Sequence, residues 1–414
     1  MNNCVEIDKC PISDSKHSKV FFTLGDIPLV NNLTDTMIES LTVDRYPLAV
    51  KYWHESQLTS LTHTVNSTDM FSKYLYKSGV SRPYIEHCSK MFEYINEFIP
   101  ADDKNLYIDI GGNDGTLLKQ FKFSTTKKIH VLNIEPSDVA LDSINNGIST
   151  LQYWFSVEAA QDIVATTNKN ATVITTTNVF QHLRDIKSFV KGIEYLLEPN
   201  GIWCLEFPYW KTSMKTSQFD QIYHEHMYYY NVTPLKLLFE QFGLKIIDAT
   251  EQSIHGGSMR LIISKVDSNH VVNDNVNECI SNESKLNLDY YTNWTHEINQ
   301  SIWQNGNKLR TLIHVNHKKI FGFGAAAKGC IYLNALKLKY LDIPYVIDDT
   351  DVKINKFIPG TGIQVVSRKI LKSMQPDYIL ILAHNFSDYI IQSLKDYGYT
   401  GKFIILVPTI KIIN

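Results

Sequence analysis

Residues 219–231 read FDQIYHEHMYYYN, and this short stretch gathers two histidines, a glutamate and four tyrosines. Histidine and carboxylate side chains are costly to bury without partners, and a solvated loop has no need of four tyrosines. The stretch therefore reads as the wall of a pocket that does proton chemistry. Tyr228, Tyr229 and Tyr230 read as packing rather than chemistry.

A second set lies in YIDIGGNDGTLLKQF, where an apolar run opens into Asp109, Gly111, Gly112, Asn113 and Gly115. Glycines at the end of the first strand of a parallel sheet let a ligand approach the backbone. The spacing is not the GxGxxG of dinucleotide binders. Asn113 replaces one glycine, and asparagine is the next most tolerant residue of a left-handed conformation. The next apolar run ends in Glu135, placed to hold both ribose hydroxyls of a nucleoside. Asp109 and Asp114 make the turn negative, which suits a sulfonium ligand and opposes a pyrophosphate. S-adenosylmethionine is thus expected over NAD; a glycine turn with only structural purpose is the alternative.

A third set is FGFGAAAKG, where small residues precede Lys328 at a predicted helix start. A helix N-terminus binds phosphate, and a lysine adds a point charge. In IHGGSMR, His255, Ser258 and Arg260 could reach the same phosphates. The alternative is a close helix–strand contact with a solvated lysine.

These residues need a scaffold. Apolar runs at 106–110, 129–135, 171–177, 201–207, 244–250 and 259–264 read as strands, and DIKSFVKGIEYLLE has helical spacing between two of them. Continuous apolar strands alternating with helices predict a doubly wound parallel sheet. The alternation resumes in KIFGFG, IPYVID, DYILILA and FIILVP, a second α/β unit. The expected organisation is a small β-rich unit over 1–85, a ligand-binding α/β domain over 86–270 and a smaller α/β domain over 271–414.

The chain has 414 residues, 44% of them apolar, which implies more than one core. A net charge of −3 with scattered basic residues gives no attraction to nucleic acid or to an acidic membrane. No run of eighteen apolar residues is present, and the polar start MNNCVEIDKC lacks an apolar signal region, so a cytoplasmic location is expected. The six cysteines form no CxxC pair, which fits reduced thiols. A monomer or homodimer is expected.

From end to end the chain resembles the S-adenosylmethionine-dependent sugar C-methyltransferases that act on nucleotide-linked 4-keto-deoxy sugars, such as the C-3 enzymes of tetronitrose- and mycarose-type pathways. The resemblance is carried by MFSKYLYKSGVSRPYIEHC, IGGNDGTLL, NIEPS, NVFQHLRDI, FPYW, the YHEH stretch, HGGSMRLII, GFGAAAKG and PGTGI, in that order. It implies a class I methyltransferase Rossmann-like domain in the middle, a C-terminal domain for the nucleotide and the sugar between them. Tyr76, His182, Tyr223, Glu225 and His226 fall on the family's active-site positions, Asn178 on its cofactor wall and His224 on the substrate side. Carbon is a poor nucleophile, so the C–H next to the ketone must first lose its proton, and histidine is the natural base near neutrality. The resemblance implies His226 in that role, with Tyr223 and Glu225 orienting the sugar or stabilising the enolate.

The chain also departs from the family. Its four-cysteine zinc site would fall here on Cys10, Ser13, Trp53 and Ser56, and serine and tryptophan do not hold zinc. No structural zinc is expected, although Cys4, Cys10, His17 and His54 could be drawn as a substitute set. His384 stands where relatives usually carry tryptophan near the nucleotide end. O- or N-methylation of a similar sugar, and a non-catalytic nucleotide-sugar binder, remain the competing readings.

Overall fold

The computed structural model describes residues 4–65, 77–80, 82–123, 128–407 and 409–414. Tyr76, and the start of the stretch that carries it, lie outside the described residues.

Near the N-terminus, β1 (Ser18–Pro28), β2 (Arg45–Trp53) and β3 (Thr59–Leu61) form an antiparallel meander. At the positions where the resembled family's zinc ligands would fall, Cys10 Sγ meets Ser56 Oγ at 3.1 Å and accepts from the Ile12 and Ser13 amides at 3.4 and 3.5 Å. Trp53 is wholly buried, with the Lys51 ammonium over its ring. Among the described residues no three histidine, cysteine or acidic side chains gather as a metal site. His17 and His54 stack on each other at 4.0 Å, and His17 pairs with Glu55.

Helix α1 (Arg82–Phe98) then leads into the central sheet. Its members in chain order are β4 (Leu106–Ile110), α2 (Thr116–Phe123), β5 (His130–Ile134), β6 (Thr150–Leu151), α3 (Val157–Thr167), β7 (Ala171–Thr177), α4 (Ile186–Leu196) and β8 (Leu197–Pro208). After the two-residue β9 (Tyr228–Tyr229) come α5 (Val232–Glu240), β10 (Leu244–Gln252) and β11 (Ser258–Lys265). The strand order is β10-β11-β8-β7-β4-β5-β6, the class I methyltransferase arrangement. β4 and β7 are buried along their whole length, so apolar runs without alternation are what the sheet requires.

The sheet is not wholly parallel as expected: β11 runs antiparallel to both β8 and β10. A parallel return needs a crossover of a dozen or more residues, and only the short turn 253–257 joins β10 to β11, so the two must form a hairpin. In that turn His255, Gly256 and Gly257 all hold positive φ.

Helix α6 (Leu288–Arg310) bridges to the last unit, formed by β12 (Ile320–Phe323), α7 (Ala327–Ala335), β13 (Tyr345–Ile347), β14 (Gln364–Val366), β15 (Tyr378–Ile381), α8 (Ser387–Asp396), β16 (Lys402–Ile405) and β17 (Lys411–Ile413). Its strand order is β14-β13-β12-β15-β16-β17, with β17 antiparallel at the edge.

The units are not separate beads. β9 leaves the middle of the chain and adds to the N-terminal sheet, pairing Tyr228 with Ser60 and Tyr229 with Thr59. One buried cluster joins Phe22 and Val50 of that sheet to Trp210, Tyr229 and Trp294, and on to Ile331 and Leu380 of the last unit.

Candidate active site

A single cavity of ≈ 450 Å³ runs from the turn after β4, past the residues before β9, to the start of α7. At one end Gly111 holds φ +73°, and a Cβ there would lie 2.3 Å from Val179 Cγ2. A Cβ on Gly112 would meet Asn133 Oδ1 at 2.3 Å. The turn can pass this close to its neighbours only as glycine. Asn113 holds φ +53°, its amide donates to Glu135 Oε2 at 3.0 Å and its Oδ1 accepts from the Ser78 amide at 2.9 Å. Glu135 Oε1 accepts from the Ser137 amide at 2.9 Å, so the carboxylate is fixed at the cavity wall.

Asp109 lines the same wall and accepts from the Thr175 hydroxyl at 2.7 Å. Burial pushes its carboxyl up to about 7 against that hydrogen bond, and the Glu135 charge adds to the rise. Asp114, expected to add negative charge to the turn, faces away. It accepts from the Gly79 amide at 2.8 Å and from the Thr116 hydroxyl at 2.6 Å, tying the turn to the segment before α1. Gly115, also at positive φ, packs against Ser143 behind the wall and does not reach the cavity. Asn178 does line it, at φ +56°.

The middle of the cavity holds Tyr223, His226 and His182. The His226 amide donates to the Tyr223 carbonyl at 2.9 Å, closing a turn that puts residues 223 and 226 side by side. The Gln221 carbonyl can only accept, so His226 Nδ1 donates to it at 3.0 Å and Nε2 keeps its lone pair. Tyr223 Oη donates to that Nε2 at 2.6 Å. His182 Nδ1 likewise donates to the Glu225 carbonyl at 2.7 Å, and its ring meets that of His226 edge-on at 4.9 Å. Burial lowers His182 to about 4, and burial, His182 and Lys328 hold His226 well below the usual histidine range, which favours the uncharged imidazole at both.

The middle residues of the same turn point the other way. Glu225, expected beside the sugar, directs its carboxylate at Asn31, whose Nδ2 donates to it at 2.6 Å. Burial raises Glu225 to about 7. His224 donates through Nε2 to the Tyr46 carbonyl at 3.3 Å. Neither side chain reaches the cavity wall formed by the described residues, because a turn that faces Tyr223 and His226 inward must project 224 and 225 toward the N-terminal sheet. Asn31 carries no local sequence signal; only the fold brings it to Glu225.

At the far end are Lys328, His255 and His384. Lys328 Nζ donates to the His255 carbonyl at 3.4 Å, and Asn385 Nδ2 donates to the same oxygen at 2.9 Å. Ser258 and Arg260 do not join them. Ser258 is buried and donates to the Ile254 carbonyl at 3.3 Å, and Arg260 pairs with buried Glu206 at 2.9 Å. Arg260 and Glu206 are direct cross-strand neighbours on β11 and β8, and a fully buried carboxylate must keep its cation.

Residues 84–249 match the family described as methyltransferase domain, and residues 253–408 match the family described as C-methyltransferase C-terminal domain. The chain is 27% identical to the C-methyltransferase NovU of Streptomyces niveus over 413 residues, which cover 99% of this chain and 97% of that protein. The chain is an S-adenosylmethionine-dependent methyltransferase. This methyltransferase is also similar to a solved S-adenosylmethionine-dependent methyltransferase from Clostridium acetobutylicum, with 10% identity, a TM-score of 0.35, and coverage of 44% of this chain and 92% of that one. A methyltransferase structure from Anabaena variabilis aligns with 17% identity, a TM-score of 0.35, and coverage of 44% and 85%.

The donor set of this methyltransferase fits its cofactor. Glu135 and Asp109 offer carboxyl oxygens where a cationic, hydroxyl-bearing ligand needs acceptors, and Tyr153, Trp154 and Phe155 give the same wall flat apolar faces for a purine. No helix among the described residues is long and apolar enough to cross a membrane.

Proposed function

We propose that this methyltransferase alkylates a carbon, C-3, of a nucleotide-linked 4-keto-deoxy sugar after removing a proton next to the ketone. The observation that carries the reading is the continuity of the cavity: the cofactor turn, the Tyr223–His226 pair and Lys328 all open onto one space. A cationic methyl donor at one end and an anionic leader group at the other leave the sugar ring beside the tyrosine and histidine. The resemblance noted above supplies the sugar class.

S-adenosylmethionine supplies an electrophilic methyl group. What remains is to make the carbon nucleophilic. In this reading His226 is the general base: its Nδ1 is committed to the Gln221 carbonyl, so Nε2 is the atom that gains one proton, by way of Tyr223, while the C–H electron pair moves into the enolate. Tyr223 stands in front of that nitrogen and passes its own proton to Nε2 as its oxygen accepts the one from carbon. His182, held by the Glu225 carbonyl, keeps the neighbouring wall neutral, so His226 is not protonated before substrate arrives. Glu225 acts through Asn31 and through its own main chain. Tyr76 is assigned to the site by the resemblance alone. Lys328 and His255 belong to the phosphate end.

Deprotonation can be read apart from methyl transfer. In heavy water, with demethylated cofactor bound, the wild type should exchange deuterium into the carbon that later accepts the methyl group. His226→Asn should lower exchange and methylation together by about 10²–10⁴-fold, the usual worth of a positioned base. A similar loss in Tyr223→Phe marks a relay; a mild one marks an orienting hydroxyl. Methylation that survives in His226→Asn makes His182 the next candidate, and an O-methylated product without exchange refutes carbon methylation.

A further inference from the structure

Asp220 opens the box beside the site, yet nothing so far uses it. It is completely buried, and neither carboxylate oxygen has a hydrogen-bond partner among the described residues. Its near neighbour is His384, whose Nδ1 lies 3.5 Å from Asp220 Oδ2 and whose side chain is only 9% exposed. His384 Nε2 is also buried and has no partner among the described residues, although His384 lines the cavity beside Lys328. A charged oxygen and a ring nitrogen left unmet this deep are costly, so the cluster is built for a partner the protein does not itself provide.

We propose that Asp220, His384 and Lys328 form the anion-recognition cluster for the substrate's diphosphate, with His384 as a second cationic contact and Asp220 as the positioning residue that holds it. This rests on the nucleotide-sugar reading for its ligand. Charge balance carries the argument. With His384 neutral, the ammonium of Lys328 and the carboxylate of Asp220 cancel, and the end of the cavity has no net pull on an anion. With His384 protonated the cluster carries one net positive charge, on two donors that face a phosphate from α7 and from the loop after β15. The N-terminus of α7 adds its own amides from the same side.

Several groups bear on His384. Asp220 comes from the turn before the histidine box, Lys328 and Tyr332 from α7, and His255 sits behind Lys328 on the β10–β11 turn. Burial and Lys328 hold the imidazole below its usual range, and Asp220 opposes them. A bound diphosphate adds negative charge on the cavity side and tips the ring to its cationic form. Binding should therefore take up a proton.

Calorimetry near pH 7, in buffers of different ionisation enthalpy, tests this with thymidine diphosphate, uridine diphosphate and inorganic pyrophosphate as probes. The wild type should take up a measurable fraction of a proton. His384→Gln should bind at least tenfold more weakly with no uptake, Asp220→Asn should also lose the uptake, and both should bind demethylated cofactor as the wild type does. Nucleoside diphosphate binding without proton uptake in the wild type, or with uptake unchanged in His384→Gln, overturns the cluster and leaves the nucleotide-sugar reading standing. Binding of pyrophosphate alone, with uptake that depends on His384, supports the cluster and sinks the nucleotide. If no probe binds, both fail. The wild-type proton count decides even if a variant does not fold.

Discussion

Asp109 is a carboxyl group caught between two demands. It lines the cavity wall proposed here to hold a cationic cofactor, where ionisation would help, yet its burial favours the neutral acid and raises it to about 7. S-adenosylmethionine should therefore bind more tightly as pH rises from 6 to 8, by about tenfold for one linked proton. Asp109→Asn should flatten that profile, and a profile unchanged in the variant would assign the pH dependence elsewhere. Stability moves the opposite way without ligand. The folded pKa lies above the unfolded one, so Asp109 contributes stability in full below about pH 4 and loses it as pH rises through about 7. Glu225, raised to about 7 by burial, adds to the same trend. Thermal melts with and without cofactor should diverge across that window.

At the scale of elements, the glycine turn gives the sharpest contrast. Gly111→Ala forces a side chain into a left-handed conformation and into Val179, so about 2 kcal/mol or more of stability should go, with at least tenfold of cofactor affinity. Gly147 also has positive φ, +76°, but open space around its Cβ position. Gly147→Ala should lose only about 1 kcal/mol and leave cofactor binding intact. Equal losses of affinity in the two variants would mean that general destabilisation, not the cradle, is being read. The elements themselves were largely legible: β4, β5, β7, β8, β10 and β11 all fall on the apolar runs, because strands buried on both faces cannot hide in the sequence. The direction of β11 follows from the length of a loop, not from composition, and was missed. The inward or outward sense of site residues was the least readable. Tyr223, His224, Glu225 and His226 are consecutive, yet a tight turn sends the first and last to the cavity and the middle two to the N-terminal sheet. Arg260 looks free to bind phosphate until the sheet places it opposite Glu206.

On the scale of the whole molecule, the N-terminal unit does not close its own core: its buried side chains join clusters shared with the other two units. Removing residues 1–65 would strip β9 of its partner strand, leave Glu225 without Asn31 and uncover Trp210, Tyr229 and Trp294. The truncated chain should aggregate or lose methylation, as judged by gel filtration and product analysis. A soluble truncation with wild-type turnover would show that the histidine box folds without the N-terminal sheet. The shared strand also sets a timetable for birth. β3 leaves the ribosome roughly 170 residues before β9, a wait of about 10–30 s at ordinary rates of synthesis. Throughout that interval the edge of β3 that β9 will cover stands open, a template for any other strand in a crowded cell. The nascent N-terminal unit therefore stays unsealed until the histidine-rich segment arrives to cover it, and slow decoding anywhere between the two would lengthen its exposure.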